Sequence, residues 1–195
     1  MKVVYEEGQT PLDEETLAGL IPGLFKQSEL DEFEAQNIAK ARLWAPTSRR
    51  LKSDLLSATG IKLLHEKMFD ETWLWAGQFR LTNFNIGVSR NNIQNELGRL
   101  FGDVDFWLQN KTYPLEEIAI RLHHRLVWIH PFPNGNGRFA RLATDLFLKH
   151  NGLLPFTWGS VNLVKSGDAR KKYIAALKKA DRDLDFSDLL SFAKN

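Results

Sequence analysis

Between positions 28 and 45 the side chains Leu30, Phe33, Asn37, Ile38, Ala41 and Trp44 share one stripe at helical spacing, and Pro46 ends the run. A shorter helix is expected before it. Thr10, Pro11 and Asp13 supply an N-cap hydroxyl, a first-turn proline and an early acid, and Ile21-Pro22-Gly23 stops the element. Gly60 to Glu71 reads as a further helix. The pattern then changes: GQFRLTNFNIGVSR, residues 77–90, mixes aromatic and β-branched residues with Asn and Gly turn formers, which predicts a β-hairpin or extended flap. Helical spacing returns from Asn92 to about Asn110. From Pro114 to Ile129 the apolar residues Ile118, Ala119, Ile120, Leu122, Leu126, Val127, Trp128 and Ile129 cover nearly the whole circumference, as in a helix buried on most sides. Phe139–His150, Asp168–Asp181 and Phe186–Phe192 complete the helical set. No repeat, low-complexity tract or linker interrupts it. The expectation is an all-α fold with one β-hairpin flap: an N-terminal helical extension over 1–59 and one compact unit over 60–195.

Composition narrows the function classes. A chain of 195 residues can bury a real core. Its net charge of only +2, with dispersed cations, argues against a dedicated nucleic-acid binder. The absence of cysteine excludes a disulfide framework, a thiolate zinc site and a thiol nucleophile. MKVVYEEGQTPLDEE lacks the apolar centre of a signal peptide, and no run approaches about 18 apolar residues, so the expected location is cytoplasmic, without a membrane. His123, His124 and His130 lack a zinc-site pattern. His123 and His124 read as helix-surface or core-edge residues, and His65 and His150 have no evident partner. Lys171, Lys172, Lys178 and Lys179 form a basic face, read as solvated or, alternatively, as part of an interaction module.

HPFPNGNGR, residues 130–138, sits between two apolar helices. Its glycines let the backbone turn sharply and approach a ligand. The first amides of the following helix lack internal acceptors and carry the positive dipole end, which makes an anion cradle. Arg138 and Arg141 project from nearly one face of that helix, so two guanidiniums flank the cradle. His130 at its rim suits a general base near neutral pH.

These residues resemble the signature of the Fic family: His, any residue, Phe, any residue, Asp or Glu, Gly, Asn, Gly, Arg, two residues, Arg. His130, Phe132, Gly135, Asn136, Gly137, Arg138 and Arg141 match it, and Asn134 departs from it. WAGQFR (75–80) is similar to the segment leading into the Fic flap, and RKKYIAALKKADRDLDFSDLLSF (170–192) to the closing helices. YEEGQTPLDEETLAGLIPG and ELDEFEAQNIAKARLW resemble the subgroup named mobile mystery protein B, which implies carriage on mobile elements and a toxin-like or regulatory pair with a partner protein.

The resemblance implies transfer of AMP from ATP to a Ser, Thr or Tyr hydroxyl of a target protein. His130 would be the base. The Gly135-Asn136-Gly137 amides, the Asn136 side chain and Arg138 would hold the phosphates, and Arg141 the terminal one. Tyr173 would line the adenine pocket, Phe132 would anchor the loop, and Ile86 and Gly87 would clamp the target by strand pairing. The acid replaced by Asn134 binds Mg²⁺ in the family. Asn134 keeps an oxygen ligand but lacks the charge, which leaves open weak Mg²⁺-dependent transfer, another phosphate donor, or nucleotide binding with little activity.

The family's inhibitory helix carries a glutamate that pairs with the second arginine. Glu32 and Glu34 compete for that role. Helix geometry places Glu34 inside the apolar stripe and Glu32 opposite it, so Glu34 is the expected brake and Arg141 its expected partner. An i, i+4 pairing of Arg141 with Asp145 competes. Target, modified residue and oligomeric state, a homo-oligomer included, stay open.

Overall fold

The structure, a computed structural model, describes residues 14–23, 27–160 and 167–195. The expected helix start at Thr10, Pro11 and Asp13 lies outside them. In chain order the helices are α1 (Glu14–Ala18), α2 (Gln27–Trp44), α3 (Arg49–Asp54), α4 (Ala58–Phe69), α5 (Ile93–Asn110), α6 (Leu115–Ile129), α7 (Asn136–His150), α8 (Asp168–Asp183) and α9 (Ser187–Lys194).

Local chemistry sets several of these boundaries. The Ser48 side chain caps α3 by accepting the Leu51 amide at 3.3 Å, and Ser57 caps α4 by accepting the Gly60 amide at 2.9 Å. A Cβ on Gly60 would lie 1.7 Å from the Asp54 carbonyl oxygen, so only glycine lets α4 start this close to the end of α3. The sequence pattern did not predict α3, because six residues are too few to display helical periodicity.

Most of the core is one cluster. Leu30 and Ala41 of α2, Leu64 and Met68 of α4, Leu97 and Val104 of α5, Leu122 and Leu126 of α6, and Phe139 and Leu146 of α7 all belong to it. A second, smaller cluster joins Ile120 of α6 to Tyr173, Leu177 and Ala180 of α8 and Leu189 of α9. Because α6 faces both clusters, its residues are buried or half-buried almost all round. Trp128 is the exception: it is 39% exposed, and the Arg125 guanidinium covers its ring at 3.9 Å.

Residues 77–90 do not form the expected β-hairpin. Among the described residues the one bridge in extended backbone is the isolated antiparallel pair Leu20–Trp73. The 77–90 segment runs through turns and bends. Arginine side chains take the place of a ladder. Arg80 Nη1 donates to the Thr82 carbonyl at 2.8 Å and Arg90 Nη1 to the Leu81 carbonyl at 2.7 Å, while the Arg90 amide donates to Asn83 Oδ1 at 2.8 Å. With these backbone groups bonded to side chains, strand pairing is not needed to satisfy them. No helix among the described residues is long and apolar enough to cross a membrane.

Candidate active site

The loop 130–135 turns the chain from α6 into α7. His130 ends α6 in the left-handed conformation, at φ 53°, with its amide donating to the Leu126 carbonyl at 3.2 Å. The ring Nδ1 lies 3.4 Å from the Val127 carbonyl. A carbonyl only accepts, so the proton belongs on Nδ1 and the lone pair on Nε2. Burial pushes the imidazole down to about 4, the Arg80 guanidinium acts in the same direction, and the Val127 carbonyl opposes them. At neutral pH His130 is therefore an uncharged imidazole whose lone pair lies on Nε2.

The loop is anchored from below by Phe132, fully buried and stacked on His65 with ring centres 3.8 Å apart. His65 is the residue whose partners the sequence did not reveal. Its Nδ1 accepts the Gly77 amide at 3.0 Å, so Nε2 carries the proton and donates to the Asn134 carbonyl at 3.1 Å. Both partners are backbone groups, 12 and 69 residues away, and leave no mark in a local pattern. Asn136 closes the loop: its Oδ1 accepts the Phe132 amide at 2.9 Å and its Nδ2 donates to the Phe132 carbonyl at 2.8 Å. The side chain expected on the phosphates is thus engaged in shaping the cradle. Gly135 has φ 75°, and a Cβ there would meet the Phe69 ring at 2.4 Å.

Asn134 Oδ1 accepts from the Gly135 amide at 2.5 Å and from Arg138 Nη2 at 3.3 Å. Two donors thus occupy the oxygen that would ligate Mg²⁺. Among the described residues no group of three His, Cys, Asp or Glu side chains could hold a metal. In this arrangement the residues present do not fit a protein-held Mg²⁺.

Arg138 is clamped. Its Nη1 meets Glu34 Oε2 at 2.5 Å, and its guanidinium carbon lies 5.0 Å from the Phe69 ring centre. Glu34 is only 5% exposed, and its other oxygen accepts Trp73 Nε1 at 2.8 Å. The expected pairing is corrected here: Glu34 engages the first arginine of the motif, not Arg141. The reason is reach across the bundle, where α2 lies over α4 and the start of α7. Glu32 is exposed, and its side chain meets Gln36 at 3.5 Å.

Arg141 Nη1 folds back toward the loop, 3.7 Å from where a Cβ on Gly137 would stand. Its guanidinium carbon is 5.9 Å from the Tyr173 ring centre. The competing partner Asp145 accepts the Phe156 amide at 3.2 Å and Trp158 Nε1 at 2.9 Å instead. Tyr173 is buried, with its hydroxyl 2.9 Å from His123 Nε2. His123 and His124 are also buried, which corrects the surface or core-edge expectation; His124 Nε2 meets Asp181 at 2.9 Å. Gly87 is exposed and lies beside the loop, with φ 86° and a hypothetical Cβ falling 2.6 Å from His130 Cβ; its neighbour Ile86 is half-buried.

The buried imidazoles have a measurable consequence. Burial pushes His65 and His123 each down to about 3. The unfolded chain binds protons these sites refuse, so stability is unaffected above about pH 7 and falls as pH drops from about 6.5 toward about 3. At pH 5 each histidine costs about 2 kcal/mol. Asp145, pushed up to about 6 by burial, works in the opposite sense and returns about 1 kcal/mol over the same interval. Urea midpoints should be lower at pH 5 than at pH 7, and a flat profile would contradict neutral buried imidazoles.

The site thus combines an uncharged base, a tightly closed amide turn and two arginines at the start of one helix. The model of the Fic/DOC family matches residues 55–148. Protein adenylyltransferase Fic of Nematostella vectensis is 28% identical over 140 residues, covering 69% of this chain and 32% of that protein. The chain therefore spans about a third of that relative's length. A uridine 5'-monophosphate transferase of Xanthomonas campestris is 56% identical over 39 residues, 20% of this chain and 7% of that one. The N-terminal Fic domain of a Bartonella quintana cell filamentation protein, solved with bound ADP, superposes at TM-score 0.65 with 17% identity, covering 88% of this chain and 86% of that one. Fold, site and family match agree: residues 55–148 of this chain are a Fic/DOC family domain.

Proposed function

We propose that the protein is a protein adenylyltransferase, held in check by Glu34. The observation carrying this reading is the uncharged His130, placed beside the start of α7, the helix that bears Arg138 and Arg141. In the proposed reaction a Ser, Thr or Tyr hydroxyl oxygen of a target protein attacks the α-phosphorus of ATP. The hydroxyl proton passes to His130 Nε2, the bond to the bridging oxygen breaks, and pyrophosphate leaves with the electron pair. The α7 amides and the arginines stabilise the departing charge without reorganising.

Glu34 occupies a donor of Arg138 that the triphosphate needs, so nucleotide and brake compete for one guanidinium. Gly87, adjoining His130, and its neighbour Ile86 are proposed to receive the target segment. The division into an inhibitory 1–59 and a catalytic 60–195 belongs to the same reading. The N-terminal resemblance to mobile mystery protein B adds a regulatory partner protein.

Incubating the full chain with α-labelled ATP and lysate, followed by mass spectrometry, tests the reading, since the added mass identifies the group. A UMP adduct would favour the second reading, another phosphate-containing donor, which the match to the uridine 5'-monophosphate transferase motivates. Asn134→Asp restores the family's acid. It is expected to raise transfer and to lower the Mg²⁺ concentration needed. Superimposable metal titrations of the two proteins would mean that position 134 does not meet the ion.

A further inference from the structure

Arg80 is 3% exposed and lies at the base of the 77–90 segment. Its Nε donates to the His130 carbonyl at 2.7 Å, its Nη1 to the Thr82 carbonyl at 2.8 Å, and its Nη2 to the Val88 carbonyl. Its backbone amide donates to the Pro131 carbonyl at 2.9 Å, and the Val88 amide to the Ile129 carbonyl at 3.3 Å. One residue therefore ties both limbs of the segment to the turn that carries His130.

An unpaired buried cation is costly. Burial is the influence that lowers the Arg80 guanidinium from its ordinary value, and no carboxylate among the described residues opposes it. The end of α6 supplies the compensation. His130 is the C-cap of that helix, its carbonyl belongs to the negative dipole end, and Arg80 caps it. The left-handed backbone of His130 is an unfavourable conformation for a residue with a Cβ, so something must hold it. Gly87 completes the joint, because a side chain there would collide with His130 and crowd Arg80 Nη2 at 3.0 Å.

We infer that Arg80 is the positioning residue for His130: one guanidinium fixes the base's backbone to the segment carrying Ile86 and Gly87, so that base and target-receiving segment keep one relative placement. The inference rests on His130 being the base. Geometry and charge contribute separately. A planar fork can serve carbonyls in different directions, whereas an ammonium is a point charge on a flexible stem. The charge itself favours the neutral ring. Among the described residues Arg80 is the charged group bearing on His130, and the Val127 carbonyl from α6 is the polar one.

The test uses the full chain as wild type, Arg80→Lys and Arg80→Met. Three readings are taken: ATP binding, transfer kinetics, and the His130 ring titration by NMR, assigned with His130→Ala. Arg80→Lys should lower kcat by about tenfold or more, leave KM for ATP within about twofold and keep the ring titration low. Arg80→Met should move that titration up by about one pH unit toward its ordinary value. Wild-type kcat in Arg80→Lys, or loss of kcat only in step with ATP binding and thermal stability, would overturn the inference. If Arg80→Met does not fold, the kcat against KM split in Arg80→Lys still decides. If the wild type transfers nothing yet Arg80→Met shifts the ring, the coupling stands and the transferase reading falls.

Discussion

Replacing His130 with alanine is expected to lower label transfer from α-labelled ATP by about a thousandfold while leaving ATP affinity within about twofold. The asymmetry follows from where the groups reside. The proposed cradle consists of the α7 amides, Arg138 and Arg141, and the loop beside it is held in shape by Phe132, His65 and Asn136. None of these contacts uses the His130 ring. The acceptor Nε2 is lost, together with the Nδ1 contact to the Val127 carbonyl. Because position 130 is left-handed, at φ 53°, His130→Asn is the better-tolerated companion, since asparagine adopts that conformation readily and still cannot act as the base. Equal labelling by wild type and both variants would remove His130 from the chemistry. The pH profile adds a second constraint. A base must be unprotonated, and burial holds this ring down to about 4. Activity should therefore persist well below pH 6.5 and be lost only as pH falls through about 4. An acid limb near 6.5 would mean that a different group, or an exposed ring, is titrating.

The part of the site legible in the sequence is the part that is local in it. His130, Phe132, the Gly135-Asn136-Gly137 turn, Arg138 and Arg141 lie within twelve consecutive residues, and spacing alone places them around one helix start. The long helices were legible for a similar reason, since burial of one face imposes a 3.6-residue period. Glu34 stood out against Glu32 because a carboxylate within an apolar stripe needs a partner, and the structure buries one and exposes the other. Its partner was not legible. The choice between Arg138 and Arg141 depends on how α2 crosses the bundle, which no local pattern encodes. Arg80, His65 and Trp73 were invisible for the same reason. Each makes a bond to a group 39 to 69 residues away. The hairpin expectation failed because Asn, Gly and β-branched residues mark a turn-rich segment equally well when arginine side chains, not a partner strand, satisfy its carbonyls.

Glu34→Gly is expected to raise transfer by about ten- to a hundredfold, self-labelling included. The size follows from the contact. A charge-assisted hydrogen bond contributes about 1.5–3 kcal/mol, and each 1.36 kcal/mol is about tenfold in a rate or occupancy. In the proposed reading nucleotide must displace that bond to reach the Arg138 donor now facing Glu34 Oε2 at 2.5 Å. Glycine within a helix costs about 1 kcal/mol of stability, so Glu34→Gln is the cleaner companion. It keeps an oxygen for Trp73 Nε1 but no charge for Arg138, and should release most of the same activity. Trp73→Phe tests the hold from the other side. It removes the donor at 2.8 Å that fixes the carboxylate, while the stack on Trp75 at 4.8 Å can persist. A freed carboxylate still attracts Arg138, so the rise should be smaller than in Glu34→Gly. Glu32→Gly is the control, because Glu32 is exposed and on the opposite face from Glu34, with Gln36 as its partner among the described residues. If all four variants label at the wild-type level while His130→Ala does not label, the enzyme reading survives without a brake, and the Glu34–Arg138 pair is structural. If Glu34→Gln alone raises ATP affinity without raising kcat, the carboxylate competes for nucleotide binding and not for its productive placement. The order Glu34→Gly above Trp73→Phe above Glu32→Gly, by contrast, is what a carboxylate held by an indole and directed at a phosphate-binding arginine requires.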